Sequence, residues 1–240
     1  TQQALMLEDI QEKQKTITRI GTNSIFDGRY SVERIFNNIK QCFAVIATNN
    51  YLYKTAKKIN PNTYLIPNGL DLQEWKPNKR VGRHKFIAGF CANISTPEYR
   101  DYKGYDYVEQ ACKELGVELK TALYGEQQIP HDKMREEFYY KISCLVHPTK
   151  GEGSSNSIME ALACGVPVIT TREAGFHGEM LEDGKNVLFC ERDVESVKKC
   201  IEKLREDRLL RSRIGKAGRK FAEKYHDVNE MAKQYKQIFE

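Results

Sequence analysis

Between residues 86 and 190 the chain alternates short apolar runs with longer stretches in which apolar residues return every three or four positions. Short runs without polar alternation are what strands buried on both faces require, and the three-to-four spacing is that of a helix with one apolar face. The pattern predicts strands over 86–91, 119–124, 142–147, 166–170 and 186–190. Helices fall between them, one carrying Tyr105, Val108, Ala111, Cys112 and Leu115 and another Met134, Phe138 and Ile142. Strands alternating with helices give an α/β fold, a Rossmann-like parallel sheet with helices on both faces and right-handed crossovers. Before it, the pattern predicts a helix over 30–41, a strand over 43–48, a helix over 51–59 and a strand over 63–66 closed by Pro67-Asn68-Gly69. After it, Val194, Val197, Ile201, Leu204, Leu209, Leu210, Ile214, Ala217 and Phe221 form the apolar stripe of C-terminal helices.

The segment between the third and fourth strands carries the chemistry. Glu152 and Glu160 stand eight positions apart around Gly153-Ser154-Ser155-Asn156-Ser157, between His147-Pro148 and Ala161-Leu162-Ala163-Cys164-Gly165-Val166-Pro167. This reads as strand, polar turn, helix, strand. A turn at the carboxyl end of a buried strand that opens a helix presents free backbone N–H groups and the positive end of the helix dipole, which is a seat for phosphate. Carboxylates repel phosphate but accept hydrogen bonds from hydroxyl groups. With the helix opening near Ser155, Glu160 lies roughly 7 to 8 Å along its axis while Glu152 stays in the loop. Two hydroxyl acceptors bracketing a diphosphate seat suit a nucleotide sugar.

Residues 152–169 resemble the donor-site signature of the retaining glycosyltransferases of family 4, which have the GT-B fold: a Glu-x7-Glu motif running into Glu-Ala-x-Ala-x-Gly-x-Pro-Val-Ile. The resemblance implies transfer of a sugar from a nucleotide diphospho-sugar to a hydroxyl of a glycan, lipid-linked or protein acceptor. It implies that Glu152 contacts donor-sugar hydroxyls, Glu160 holds the ribose, and the amides of Gly153, Ser154, Ser155, Asn156 and Ser157 face the diphosphate. Lys103-Gly104 is similar to the family's Lys-Gly at a helix start, where a lysine neutralises the leaving diphosphate. The family's Gly-Arg after the first donor-domain strand is matched here by Gly89-Phe90, which leaves Arg100 to reach the phosphates from the following loop. Ala174-Gly175-Phe176-His177-Gly178-Glu179 stands where the family has Gly-Gly-x-x-Glu, so Gly175 is expected to line the sugar pocket and Glu179 is either a site residue or a first-turn helix charge. The segment 125–134 is short by a strand and a helix, which predicts an unusual rim near the nucleotide base. A strand ending in Pro-Asn-Gly-x-Asp closes the N-terminal domain in this family. The expected organisation is an acceptor-side remnant over 1–74, a linker over 75–85, a nucleotide-sugar domain over 86–225 and a helix over 226–240 packing back on the N-terminal part, the N-terminal domain being incomplete. Such a chain is expected to bind donor without transferring sugar.

Composition narrows the alternatives. No apolar run reaches the roughly 18 residues that span a membrane. Seven cysteines without Cys-x-x-Cys spacing point to free thiols and a cytoplasmic setting. The five histidines form no metal-binding constellation, so no bound metal and no cofactor beyond the substrate are expected. The formal charge is +5, and residues 198–224 hold eleven Lys or Arg against four Asp or Glu. That run reads as a solvated helix face, with a weak contact to a membrane surface as its alternative. Nothing supports nucleic-acid binding. Two competing functions remain: a non-catalytic, partner-dependent subunit that binds a nucleotide sugar, and a dinucleotide oxidoreductase built on Gly151-x-Gly153, which is weakened by Asn156 at the third glycine position.

Overall fold

The structure, a computed structural model, describes residues 16–21, 32–78, 85–124 and 128–240. The expected features that fall on 1–15, 22–31, 79–84 and 125–127 lie outside those residues.

Five parallel strands form the larger sheet: β4 (Ile87–Asn93), β5 (Glu118–Tyr124), β6 (Cys144–His147), β7 (Val168–Thr170) and β8 (Leu188–Phe189), in the order β5-β4-β6-β7-β8. Adjacent strand residues go to opposite faces, and both faces are covered. Leu145 and Val168 join a cluster with Phe138, Ile158, Leu162 and Phe221, while Cys144, Val146 and Ile169 join one with Phe90, Val108, Ile201 and Ile214. Burial on both sides is why these strands read as unbroken apolar runs.

Helices α4 (Tyr105–Leu115), α6 (Asn156–Ala163), α8 (Val194–Glu206) and α9 (Arg208–Tyr225) supply much of the cover. Helix α9 lies against α6 through glycines, Gly218 against Leu162 and Gly215 against the Gly165 backbone. Leu209, expected in the apolar stripe, is 84% exposed instead, because the helix break at Asp207 turns Leu210 inward.

Three further strands, β1 (Ile17–Ile20), β2 (Ala44–Ala47) and β3 (Thr63–Leu65), form a second parallel sheet in that order, with α1 (Val32–Gln41) and α2 (Asn50–Lys57) between them in sequence. The apolar pattern did not single out β1; its sequence Ile-Thr-Arg-Ile carries only two aliphatic residues. The final helix, α10 (Val228–Phe239), lays Met231, Tyr235 and Ile238 against Ala44, Ile46 and Ile66. The chain enters it along the segment after β3, with Leu70 N–H bonded to His226 O at 2.8 Å and Val228 N–H to Leu70 O at 3.1 Å. No helix among the described residues is long and apolar enough to cross a membrane.

Two local expectations change. The loop expected over 93–102 contains α3 (Pro97–Lys103), capped by Thr96, whose hydroxyl accepts the Tyr99 N–H at 3.2 Å. Lys103 therefore ends a helix rather than starting one, where a cation is favoured by the dipole. Gly104 joins α3 to α4 at φ +72°, a conformation that favours glycine, and a Cβ there would press on Pro148. Helical spacing at Met134, Phe138 and Ile142 yields only α5 (Met134–Glu137) and short 3-10 turns, with Ile142 extended.

Candidate functional site

The chain leaves β4 for β5 on one side and returns to β6 on the other, so the sheet order reverses between β4 and β6. Ligands of open parallel sheets bind at the carboxyl ends of strands beside such a reversal. Lys103 follows β4 through α3, and Glu152 follows β6 through the turn 148–151. They meet: Lys103 Nζ donates to Glu152 Oε1, and His147, the last residue of β6, places Nε2 3.1 Å from the same oxygen. Among the described residues no hydrogen bond reaches Glu152 Oε2, which stays available. Burial alone would raise the Glu152 carboxyl, but the His147 hydrogen bond and the Lys103 charge outweigh it and hold it at about 2.

Glu160 sits one turn inside α6, buried. Tyr139 donates from its hydroxyl to Oε2 at 2.7 Å, and His131 Nε2 lies 3.2 Å from Oε1. Burial pushes this carboxyl up against the pull of both partners. A cleft of about 290 Å³ opens beside it, bounded by Cys91, Ala92 and Asn93 at the end of β4, Leu123 and Tyr124 at the end of β5, and Asn156 and Ser157 at the start of α6. Ser155 is the N-cap of α6 and its side chain caps no backbone N–H, so the first N–H groups of the helix are left for a ligand or water. The Ser154 hydroxyl is buried and without a partner.

The loop that joins the two glutamates is held from outside its own sheet. Asn49 Nδ2 donates to the carbonyls of Glu152 and Gly153 at 3.2 Å each, and Asn68 Nδ2 donates to Ser154 O at 2.9 Å and Asn156 Oδ1 at 2.6 Å. Gly153 is packed so closely on Gly21 and Thr48 that a Cβ would lie 2.7 Å from Thr48 Oγ1. Gly175, at φ +60°, bridges Ser154, and a Cβ there would lie 2.7 Å from the carbonyl carbon of Glu152. Glu179 is neither a pocket carboxylate nor a plain helix charge. Its two oxygens accept the N–H groups of Asn50 and Tyr51 at 2.8 and 3.2 Å, capping α2 from the other sheet.

Arg100 is placed differently from expectation. Its guanidinium bonds Asp106 at 2.6 Å and Glu109 at 3.2 Å and stacks 4.2 Å from the Tyr105 ring. The structure gives it no partner on the Glu152 side. Phe90 is likewise not at a strand end: it is fully buried within β4 against Tyr105 and His147, and the strand runs on to Ala92 and Asn93. His147, Tyr139, Asn49, Asn68 and Asn93 were not singled out by sequence. His147 left a trace as a polar residue closing the run Cys-Leu-Val-His, and Asn68 as part of the Pro-Asn-Gly turn. Among the described residues no group of His, Cys, Asp and Glu could hold a metal ion.

Comparison with known proteins gives the chain its family. The capsular polysaccharide biosynthesis glycosyltransferase CapM of Staphylococcus aureus is 37% identical over 154 residues, 60% of this chain and 39% of CapM. The glycosyltransferase MJ1178 of Methanocaldococcus jannaschii is 37% identical over 89 residues, 37% of this chain and 25% of that protein. The chain thus spans two fifths or less of the curated relatives it matches. Among solved structures, HepE of Anabaena in complex with UDP and glucose superposes with a TM-score of 0.77 at 17% identity, covering 93% of this chain and 70% of HepE. A TarM variant of S. aureus in complex with fondaparinux, alpha-GlcNAc-glycerol and UDP gives 0.77 at 15% identity, covering 98% of this chain and 52% of TarM. These likenesses show a GT-B fold. The family model for glycosyl transferases group 1 matches residues 72–221, more than half of the chain, and the chain therefore belongs to that family.

Proposed function

We propose that the chain binds a nucleotide diphospho-sugar, with UDP as the nucleotide, and serves retaining transfer of the sugar to an acceptor hydroxyl in the manner of family 4. The observation that carries this reading is the pairing of two differently furnished carboxylates across one helix start. Glu152 is an anion with one oxygen free, suited to accept sugar hydroxyls, and Glu160 borders the cleft at the ends of β4 and β5, suited to hold a ribose. The presence of UDP in the HepE and TarM complexes supports UDP as the nucleotide.

In this reading the unsatisfied N–H groups opening α6 and the Lys103 ammonium stabilise charge on the diphosphate as its bond to the sugar lengthens. The acceptor oxygen bonds to the anomeric carbon on the face the diphosphate leaves, and its proton passes to a diphosphate oxygen. The protein positions the partners and needs no base of its own. Acceptors would be hydroxyls of a glycan, lipid-linked or protein substrate, and CapM's role in capsular polysaccharide biosynthesis favours a glycan product.

Binding separates the two roles. Thermal shifts with UDP and with UDP-sugars should rise together in the wild type, by about 2.7 kcal/mol of added stability at 100 times the dissociation constant. Glu160→Ala should lose the shift with both ligands, and Glu152→Ala only the extra shift that the sugar brings. Equal losses in both variants would refute the assignment.

A further inference from the structure

We propose that His147 is the positioning residue of Glu152, the group that keeps its carboxylate ionised and aimed when Lys103 turns to the diphosphate. The inference rests on the donor-binding reading above.

The geometry is restrictive. The His147 ring is buried, stacked 6.3 Å from the Phe90 ring at 28°, and its backbone carbonyl accepts the Thr170 hydroxyl at 2.7 Å. Nε2 lies 3.1 Å from Glu152 Oε1, while Nδ1 is buried with no partner. A nitrogen facing a carboxylate must carry the hydrogen, and a buried N–H with no acceptor is costly, so the neutral tautomer with hydrogen on Nε2 and a bare Nδ1 satisfies the most contacts. Burial favours the same neutral ring. Phe90 stacks on the ring, and the ring's hydrogen bond runs to Glu152.

Lys103 shares that oxygen, but a lysine is a mobile point charge and is the cation best placed to answer a diphosphate. Each step it takes toward phosphate weakens its hold on a carboxylate whose surroundings are desolvated. Without a second donor, the carboxyl would drift toward the protonated state and lose its capacity to accept hydroxyl protons. The imidazole is fixed to the strand and cannot follow the phosphate. Its N–H occupies Oε1 and leaves Oε2 for the sugar, so it bears on sugar recognition and not on the nucleotide. The charged or titratable groups that face this pair are Lys103 from α3, Glu152 itself, and His177 from α7 (Phe176–Met180), which burial keeps neutral.

The test is the ratio of affinities for a UDP-sugar and for UDP, measured by calorimetry on the 240-residue chain. His147→Phe, which keeps the ring and removes the donor, is expected to lower the UDP-sugar affinity about tenfold while UDP binding holds. His147→Gln, whose amide nitrogen reaches the place of Nε2, should restore most of the loss. A ratio unchanged in His147→Phe, or both affinities falling together, would overturn the proposal. Nitrogen NMR of the histidine-labelled wild type gives a check that needs no variant: hydrogen on Nε2 with a bare Nδ1 supports it, and the opposite tautomer refutes it. If the wild type gains nothing from the sugar in any UDP-sugar, the donor reading itself falls and the inference with it.

Discussion

Acidification should destabilise this protein through two buried histidines that face each other, His177 and His226. His226 Nδ1 lies 2.7 Å from Asn68 O, so that nitrogen carries a hydrogen, and its Nε2 faces His177 Nε2 at 3.1 Å. A single hydrogen fits between the two Nε2 atoms, and a second would set N–H against N–H. Both rings are fully buried. Burial lowers His226 from 6.5 to about 4 against the pull of the Asn68 carbonyl, and burial together with the neighbouring His226 holds His177 well below its ordinary value. Between 6.5 and about 4 the unfolded chain binds a proton at His226 that the folded chain refuses, so the stability held by this ring falls as pH drops through that window. Holding His226 at about 4 instead of 6.5 makes that ring alone worth about 3 kcal/mol. His147, also lowered by burial, adds in the same direction, and Glu160, raised by burial, offsets part of the loss near the bottom of the window. Urea unfolding followed through Trp75, the single tryptophan and a buried one, at several values between pH 7 and 4.5 measures this directly. His226→Asn retains an amide donor for Asn68 O and removes the titration, so its stability should depend on pH much less steeply. Equal losses in wild type and variant across that range would refute the reasoning.

Other consequences follow from single contacts. Gly175→Ala places a Cβ against the Glu152 carbonyl at a positive φ and should cost about 1 to 3 kcal/mol by urea unfolding, with weakened nucleotide binding; unchanged stability and binding would contradict the packing described. Glu179→Ala removes the carboxylate that accepts from Asn50 and Tyr51 and should lower stability by about 1 kcal/mol while Glu179→Gln keeps part of it. Chelator should leave the UDP-induced thermal shift as it was, and a shift that vanishes with EDTA and returns with magnesium or manganese would rule out metal-free binding. Reducing agent should not alter the melting temperature, because all seven cysteines are free and burial pushes thiols such as Cys91 up to about 12.

Much of the larger sheet was legible because its strands are buried on both faces and its helices on one, a contrast that periodicity records directly. The start of α6 at Ser155 was legible too, since a polar turn before a small-residue helix has few other uses. Where the strands end was less so. The strand expected from sequence stops at Cys91, but β4 continues to Asn93 because β5 pairs with it as far as Tyr124. Asn93, not Phe90, therefore stands at the mouth of the cleft. Arg100 and Lys103 lie three residues apart on one short helix, and sequence offered both to the phosphate. Asp106, Glu109 and the Tyr105 ring claim the arginine, while Glu152 claims the lysine.

By itself the sequence determined the layered α/β class and the two glutamates with the helix start between them, because these follow from spacing within a few turns of chain. The tertiary structure decided what surrounds them: His147 and Lys103 on one oxygen, Tyr139 on Glu160, Asn49 and Asn68 on the loop, and Glu179 on α2. Most of these partners are tens of residues apart in sequence. Their meeting depends on strand order, register and the approach of two sheets, which periodicity within one element does not encode.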